Sequence, residues 1–144
     1  MMKTHLAQLI ANTRASVAVE FSMLAPAFLL LLFGVLQVGV GMQNYNALRD
    51  ASSDVARYAM VQYATGNKLS DSQLESYAIG VGRSPPYLLD NASFTAKIST
   101  PGVQRVSGAS EKTLVVGYQI DSLVPGLGLT GPYISYSRPI FVTQ

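Results

Sequence analysis

The sequence predicts an α+β protein, with one long N-terminal helix packed on a small three-stranded antiparallel sheet. Three observations predict it. From Phe21 to Met42 no residue is charged, and the run contains Phe28-Leu29-Leu30-Leu31-Leu32-Phe33. Beyond it, Leu48, Ala51 or Ser52, Val55, Ala59 and Tyr63 recur at steps of three and four, the spacing of one helical face. In the C-terminal third, apolar and polar residues alternate in three runs of period two, as in strands with one covered face.

The first element is a candidate membrane span over 16–42. Its uncharged core, Phe21–Met42, reaches about 33 Å at ~1.5 Å per residue, close to the ~30 Å hydrocarbon layer of a bilayer. No later run approaches that length, so one crossing is expected. A secretory signal peptide would have an apolar region of only about 7–15 residues, closed by a small-x-small site. Val38-Gly39-Val40-Gly41-Met42 is a poor version of such a site, and a retained anchor fits better. Lys3 and Arg14 precede the span and no acidic residue occurs before Glu20, which keeps the N-terminus cytoplasmic and puts residues 43–144 outside.

Three residue types modify this helix. Glu20 lies eleven residues before the centre of the run at Leu31, or about 16 Å along a helix, at headgroup depth near a helix start. Pro26 removes one helical N–H and its ring presses on the carbonyl of Ser22, so a kink or local loosening is expected. Gly34, Gly39 and Gly41 narrow the surface and permit close helix contacts, or are simply tolerated.

The amphipathic stripe extends the helix over 43–65, with Gly66-Asn67 as its stop. Asp54 and Arg57, three apart, are expected to form a surface pair. Ser70-Asp71-Ser72-Gln73 has capping-box spacing and opens a short helix over 70–79. Gly80 to Asn91 reads as a loop, with Ser84-Pro85-Pro86 breaking regular structure. Strands are expected near 92–99, 112–121 and 133–143. Phe94, Ala96 and Ile98 alternate in the first and Leu114, Val116, Tyr118 and Ile120 in the second. In the third, Ile134, Tyr136, Ile140 and Val142 hold the phase around Arg138-Pro139, which implies a bulge or an edge strand.

Composition narrows the function. The chain is 49% hydrophobic and 12% charged, with a mean hydropathy of +0.26. Soluble domains carry about 25% charged residues, so the shortfall also points to a membrane segment. A net charge of +2 is too weak for a nucleic-acid footprint. The absence of cysteine removes disulfides, thiolate metal sites and cysteine nucleophiles, and His5 is the single histidine. Gly80-Val81-Gly82 and Pro125-Gly126-Leu127-Gly128 lack phosphate-loop spacing and read as turns. Asn91-Ala92-Ser93 fits a glycosylation sequon that is common by chance. Asp71 and Glu75 share a helix face without a basic or nucleophilic partner, as a solvated face does. Tyr118, Tyr133 and Tyr136 are expected half-buried on the sheet, or one of them lines a contact surface. No enzyme, cofactor, metal or small-molecule substrate is expected.

Arg14-Ala15-Ser16-Val17-Ala18-Val19-Glu20-Phe21-Ser22-Met23-Leu24-Ala25-Pro26, followed by a leucine-rich span, resembles the N-terminus of the TadE-like family. These are pseudopilins, or minor pilins, of the Tad/Flp tight-adherence pilus, in the type IV pilus superfamily. Asp50-Ala51-Ser52-Ser53-Asp54-Val55-Ala56-Arg57 resembles the family's helix just past the membrane. The likeness covers about 45 residues in motif; the remainder matches only the pilin-like layout.

The resemblance implies a basic leader, residues 1–15, removed by a membrane prepilin peptidase between Ala15 and Ser16. The family usually has Gly where Ala15 stands. Glu20 would then be the fifth residue of the mature chain and the carboxylate used in assembly, with Val19, Phe21 and Pro26 as motif positions. Cutting there removes the side-chain charges of Lys3 and Arg14 and leaves residues 16–144 with eight basic and eight acidic groups. It also frees an α-amine at Ser16, with a pKa of about 8. A lone carboxylate moved into apolar packing costs several kcal/mol unless paired, and the Ser16 amine is the partner the pilin analogy offers. Implied partners are the bacterial inner membrane, the prepilin peptidase, the Tad secretion platform, the major Flp pilin and sibling pseudopilins. The alternative is an uncleaved, single-pass anchored binding or sensory module in the same membrane, for which Glu20 and Pro26 have no necessary role.

Overall fold

A computed structural model describes residues 13–90, 92–124, 128 and 130–143, with side chains in the first helix from Ser16 onward. Helix α1 spans Thr13–Ala64 and α2 spans Asp71–Arg83. Strands β1 (Phe94–Ser99), β2 (Ala109–Gln119) and β3 (Tyr133–Thr143) form one sheet in the order β1-β2-β3, with both pairs antiparallel. The expected α+β layout, a long helix with a three-stranded antiparallel sheet, is the one observed.

The chain divides into two compact units, Met1–Val38 and Gly39–Gln144. The described part of the first is helix. Its apolar side chains, such as Leu31 and Val35, are exposed at 68% and 72%. The second unit holds the rest of α1, α2 and the sheet. Its core joins Leu48, Val55 and Ala59 of α1 to Leu114, Val116 and Ile140 on the inner sheet face. The predicted stripe is thus the buried face of α1.

Helix α1 stops where the sequence signal lies. Gly66 adopts φ +83°, its N–H donates to the Tyr63 carbonyl at 3.0 Å, and the Asn67 N–H donates to the Gln62 carbonyl at 2.9 Å. That pair of bonds satisfies the last free carbonyls and needs a left-handed residue, which glycine adopts without strain. Helix α2 starts on the predicted capping box. The Gln73 N–H donates to Ser70 Oγ at 3.3 Å and the Ser70 N–H donates to Gln73 Oε1 at 2.9 Å.

Several details differ from the sequence expectation. Helix α2 continues past 79 through Gly80-Val81-Gly82 to Arg83, so those glycines are helix, not turn. Each helical glycine costs about 1 kcal/mol against alanine, but packing outweighs it here. Gly82 is buried, and a Cβ on it would sit 2.5 Å from Cε1 of Phe94. The bare backbone lets α2 lie close against β1. The expected solvated face of α2 instead ties it to the sheet. Glu75 Oε1 accepts the Ile98 N–H at 2.8 Å, and Asp71 forms an ion pair with Lys112.

Strand β2 begins at Ala109, earlier than the expected 112, because the connection before it folds over the sheet's outer face. Arg105 Nε donates to both carboxylate oxygens of Glu111 at 2.9 Å, and the Gln104 side chain accepts the Glu111 N–H. The Arg105 guanidinium also lies 5.7 Å from the ring centroid of Phe141. Strand β3 contains no bulge, since the register runs unbroken from Tyr133 to Thr143 with Pro139 opposite Thr113. Proline fits there because β3 is an edge strand. The expected Asp54–Arg57 pair does not form. Asp54 Oδ2 accepts from the Tyr87 hydroxyl at 2.7 Å.

Candidate functional site

The residues singled out in the sequence lie on the first turns of α1. Residues 1–12 of the expected leader are outside the described residues, as is Asn91 of the sequon. Ala15 is helical in backbone. Ser16 and Glu20 are one turn apart, and Ser16 Oγ donates to Glu20 Oε1 at 3.2 Å. Helical geometry imposes this meeting, because side chains four residues apart share a face. Val19 and Phe21 flank the carboxylate and are exposed at 57% and 69%. Glu20 is therefore a charged group set in an open apolar surface, with the neutral Ser16 hydroxyl as its side-chain partner among the described residues.

Pro26 lies inside α1, exposed, and helix is assigned without a break on either side of it. The expected loosening reduces to the one hydrogen bond that proline cannot donate to the Ser22 carbonyl. The Ser22 hydroxyl donates to the Val19 carbonyl at 2.8 Å, adding a side-chain bond in the same turn. The motif positions thus share one stretch of continuous helix.

The second unit has its own polar contacts. Arg138 points from β3 to the inner face, where Nε donates to Ser52 Oγ at 3.1 Å. Ser52 is fully buried and itself donates to the Arg49 carbonyl at 2.6 Å. The Arg138 guanidinium sits 5.6 Å from the Tyr136 ring centroid, and Tyr136 meets Tyr45 edge-on at 5.8 Å. Between α1 and α2, Tyr58 stacks on Tyr77 with centroids 3.7 Å apart. Burial raises the pKa of Tyr77 above its ordinary value, helped by Tyr58 and then Asp54. Tyr87 is pushed up to about 12 by burial and by its hydrogen bond to Asp54. Neither the Ser52–Arg138 contact nor the Tyr58–Tyr77 stack was legible beforehand, since they join residues 86 and 19 positions apart and no local pattern announces them. Of the three sheet tyrosines, Tyr118 and Tyr136 are partly buried against the core and Tyr133 is exposed at 58%. Among the described residues, no group of three or more His, Asp or Glu side chains is placed to hold a metal ion.

Among the described residues, one helix is long and apolar enough to cross a membrane, and the chain has an α+β layout. Residues 15–57 match the model of the family described as TadE-like protein. The match opens at Ala15, takes in Ser16, Glu20 and Pro26, and ends on Arg57 within α1. No curated protein and no solved structure matches the chain.

Proposed function

We propose that the protein is a pseudopilin, or minor pilin, that helps build a Tad/Flp-type adhesive pilus. In this reading it is a structural component of the inner membrane, with its N-terminus cytoplasmic and its head on the far side. A prepilin peptidase cuts between Ala15 and Ser16, and the cut chain joins or primes a filament through α1. Its partners are the Tad platform, the major Flp pilin and sibling pseudopilins. The observation that carries the reading is the family match over residues 15–57, which begins at the proposed junction.

The chemistry of the helix start supports it. Cleavage turns Ser16 into a terminal residue whose new ammonium and hydroxyl both stand one turn before Glu20. In the bilayer Glu20 is solvated at headgroup depth. Among packed helices it loses that water, and an unpaired carboxylate there costs several kcal/mol. The Ser16 amine, in the same or a neighbouring subunit, removes that cost and favours a definite stagger between helices.

The deciding experiment is intact mass with N-terminal sequencing of the protein from native membranes. A chain beginning at Ser16 is the expected result. A chain still carrying residues before Ser16 rejects processing and leaves an uncleaved anchor. A start beyond Gly41 means that the apolar run is a signal peptide.

A further inference from the structure

An open groove lies between α1, α2 and the turn that follows α2, all within the second unit. It encloses about 470 Å³ and is lined by Asp54 of α1, Ser76 and Tyr77 of α2, and Ser84, Pro85 and Tyr87 of the turn. Gly80 forms part of its wall, and a Cβ there would meet nothing within 4 Å. A second groove of about 350 Å³ shares Asp54, Tyr77 and Val81 with the first and adds Arg57, Tyr58 and Val61. Through the shared residues the two form one trough between the helices.

The polar groups of the first groove offer acceptors. Ser76 Oγ donates to the Ser72 carbonyl at 2.9 Å and Ser84 Oγ to the Gly80 carbonyl at 2.8 Å, which leaves lone pairs on both hydroxyl oxygens. The Tyr87 hydroxyl donates to Asp54 Oδ2 at 2.7 Å, and Oδ1 of that carboxylate is free to accept. Among the described residues no cation pairs with Asp54, and Arg57 lines only the second groove. Tyr87 is pushed up to about 12 by burial first and then by Asp54, with Asp50 one turn earlier adding to the same negative field. A field that opposes a new anion favours a cation.

The walls are aromatic. Tyr77, stacked on Tyr58 at 3.7 Å, and Tyr87 both line the groove. A guanidinium suits such walls better than an ammonium, because it is planar and weakly hydrated and stacks on rings while its N–H groups bond a carboxylate.

We infer that this groove takes an arginine side chain of a partner chain, with its guanidinium on Asp54 against Tyr77 and Tyr87. The flanking residues of the partner lie along Tyr58 and Val61. The occupant is basic because the groove presents acceptors and negative charge. It belongs to a chain because the trough runs on beyond the charged end, where an apolar wall has room for more than one side chain. The inference stands apart from the pilus reading, since every residue it uses lies outside the candidate span.

The test uses the full chain in detergent micelles, titrated with the tripeptide acetyl-glycyl-arginyl-glycinamide. The readout is the shift of the Tyr77 and Tyr87 ring resonances. Saturable shifts are expected, and several-fold weaker binding when lysine or the uncharged isostere citrulline replaces the arginine. Asp54→Asn keeps an acceptor for the Tyr87 hydroxyl, so it is expected to fold as wild type and to bind the arginine peptide several-fold more weakly. Gly80→Leu places a side chain in the open space of the wall and favours helix, so it is expected to block binding without loss of thermal stability. Absence of saturable shifts, equal binding of the citrulline peptide, or wild-type affinity in both variants would overturn the site. Equal binding of the lysine peptide would overturn the assignment to a guanidinium.

Discussion

Ser16 Oγ and Glu20 Oε1 stand 3.2 Å apart across the first turn of α1 whose side chains are described. The hydroxyl is a weak, neutral partner, whereas the amine proposed to appear on the same residue after cleavage is a charged one. Glu20→Ala is therefore expected to leave membrane insertion intact and to abolish or sharply reduce surface pili. Fractionation and electron microscopy of cells carrying the variant check both halves. Ser16→Ala removes only the hydroxyl and is expected to keep pili. Normal piliation in Glu20→Ala would remove the assembly role from this carboxylate.

The proposed processing after Ala15 requires a small residue before the cut. Ala15→Gly restores the residue usual in the family and is expected to preserve or speed cleavage, while Ala15→Arg is expected to block it. The readout is the mass of the membrane-bound chain with time after synthesis. Wild-type kinetics in both variants would place the junction elsewhere or nowhere.

The elements governed by local chemistry were legible in the sequence. The Leu48–Tyr63 stripe, the Gly66 stop and the Ser70–Gln73 capping box each depend on residues within a turn or two of each other. Strand alternation likewise reported which face is covered, down to Phe94, Ala96 and Ile98. What could not be read were contacts that cross the fold. Asp71 and Glu75 have no local partner, so they read as solvated until β1 and β2 bring up Ile98 and Lys112. Gly80 and Gly82 read as a turn because propensity is local, while the ring that needs Gly82 to lack a side chain comes from β1. Glu20 was visible as a charge beside an apolar run, but its role comes from the family resemblance and not from its geometry.

Ser52 joins α1 to β3 through a charged donor. Ser52→Ala keeps the volume nearly constant but leaves the Arg138 Nε without its acceptor in a partly buried place. Hydrogen bonds to charged groups contribute about 1.5–3 kcal/mol, and partial exposure of Arg138 puts the expected loss nearer 1–2 kcal/mol. Thermal unfolding of the full chain in detergent measures it. The double variant Ser52→Ala with Arg138→Met is expected to recover part of the loss, since the stranded charge is then gone.

Gly82→Ala tests the close approach of α2 to β1. Helix propensity alone would make alanine stabilising by about 1 kcal/mol. The new methyl group collides with the Phe94 ring, which is itself in the core, and overpacking of this kind costs about 1–3 kcal/mol. A net destabilisation is expected, relieved by Phe94→Leu in the same chain. Gly80→Ala, with open space around it, is expected to be neutral or stabilising. Equal behaviour of the two alanine variants would show that the ring moves aside freely.

Glu111 supplies a pH dependence whose sign is fixed by its partner. The hydrogen bonds from Arg105 hold its carboxyl below the ordinary value of 4.5, against the opposing effect of desolvation. A carboxyl depressed in the folded state binds protons less readily there than in the unfolded chain. Its contribution is therefore complete above about pH 4.5 and is lost as pH falls through the lower, folded value. Glu111→Gln, which keeps the shape and removes the charge, is expected to unfold at a lower temperature than wild type at neutral pH. The gap should close as the solution is acidified below the ordinary carboxylate range. A gap that stays constant with pH would mean that Glu111 acts through shape and the Gln104 contact alone, and that Arg105 adds nothing to the fold.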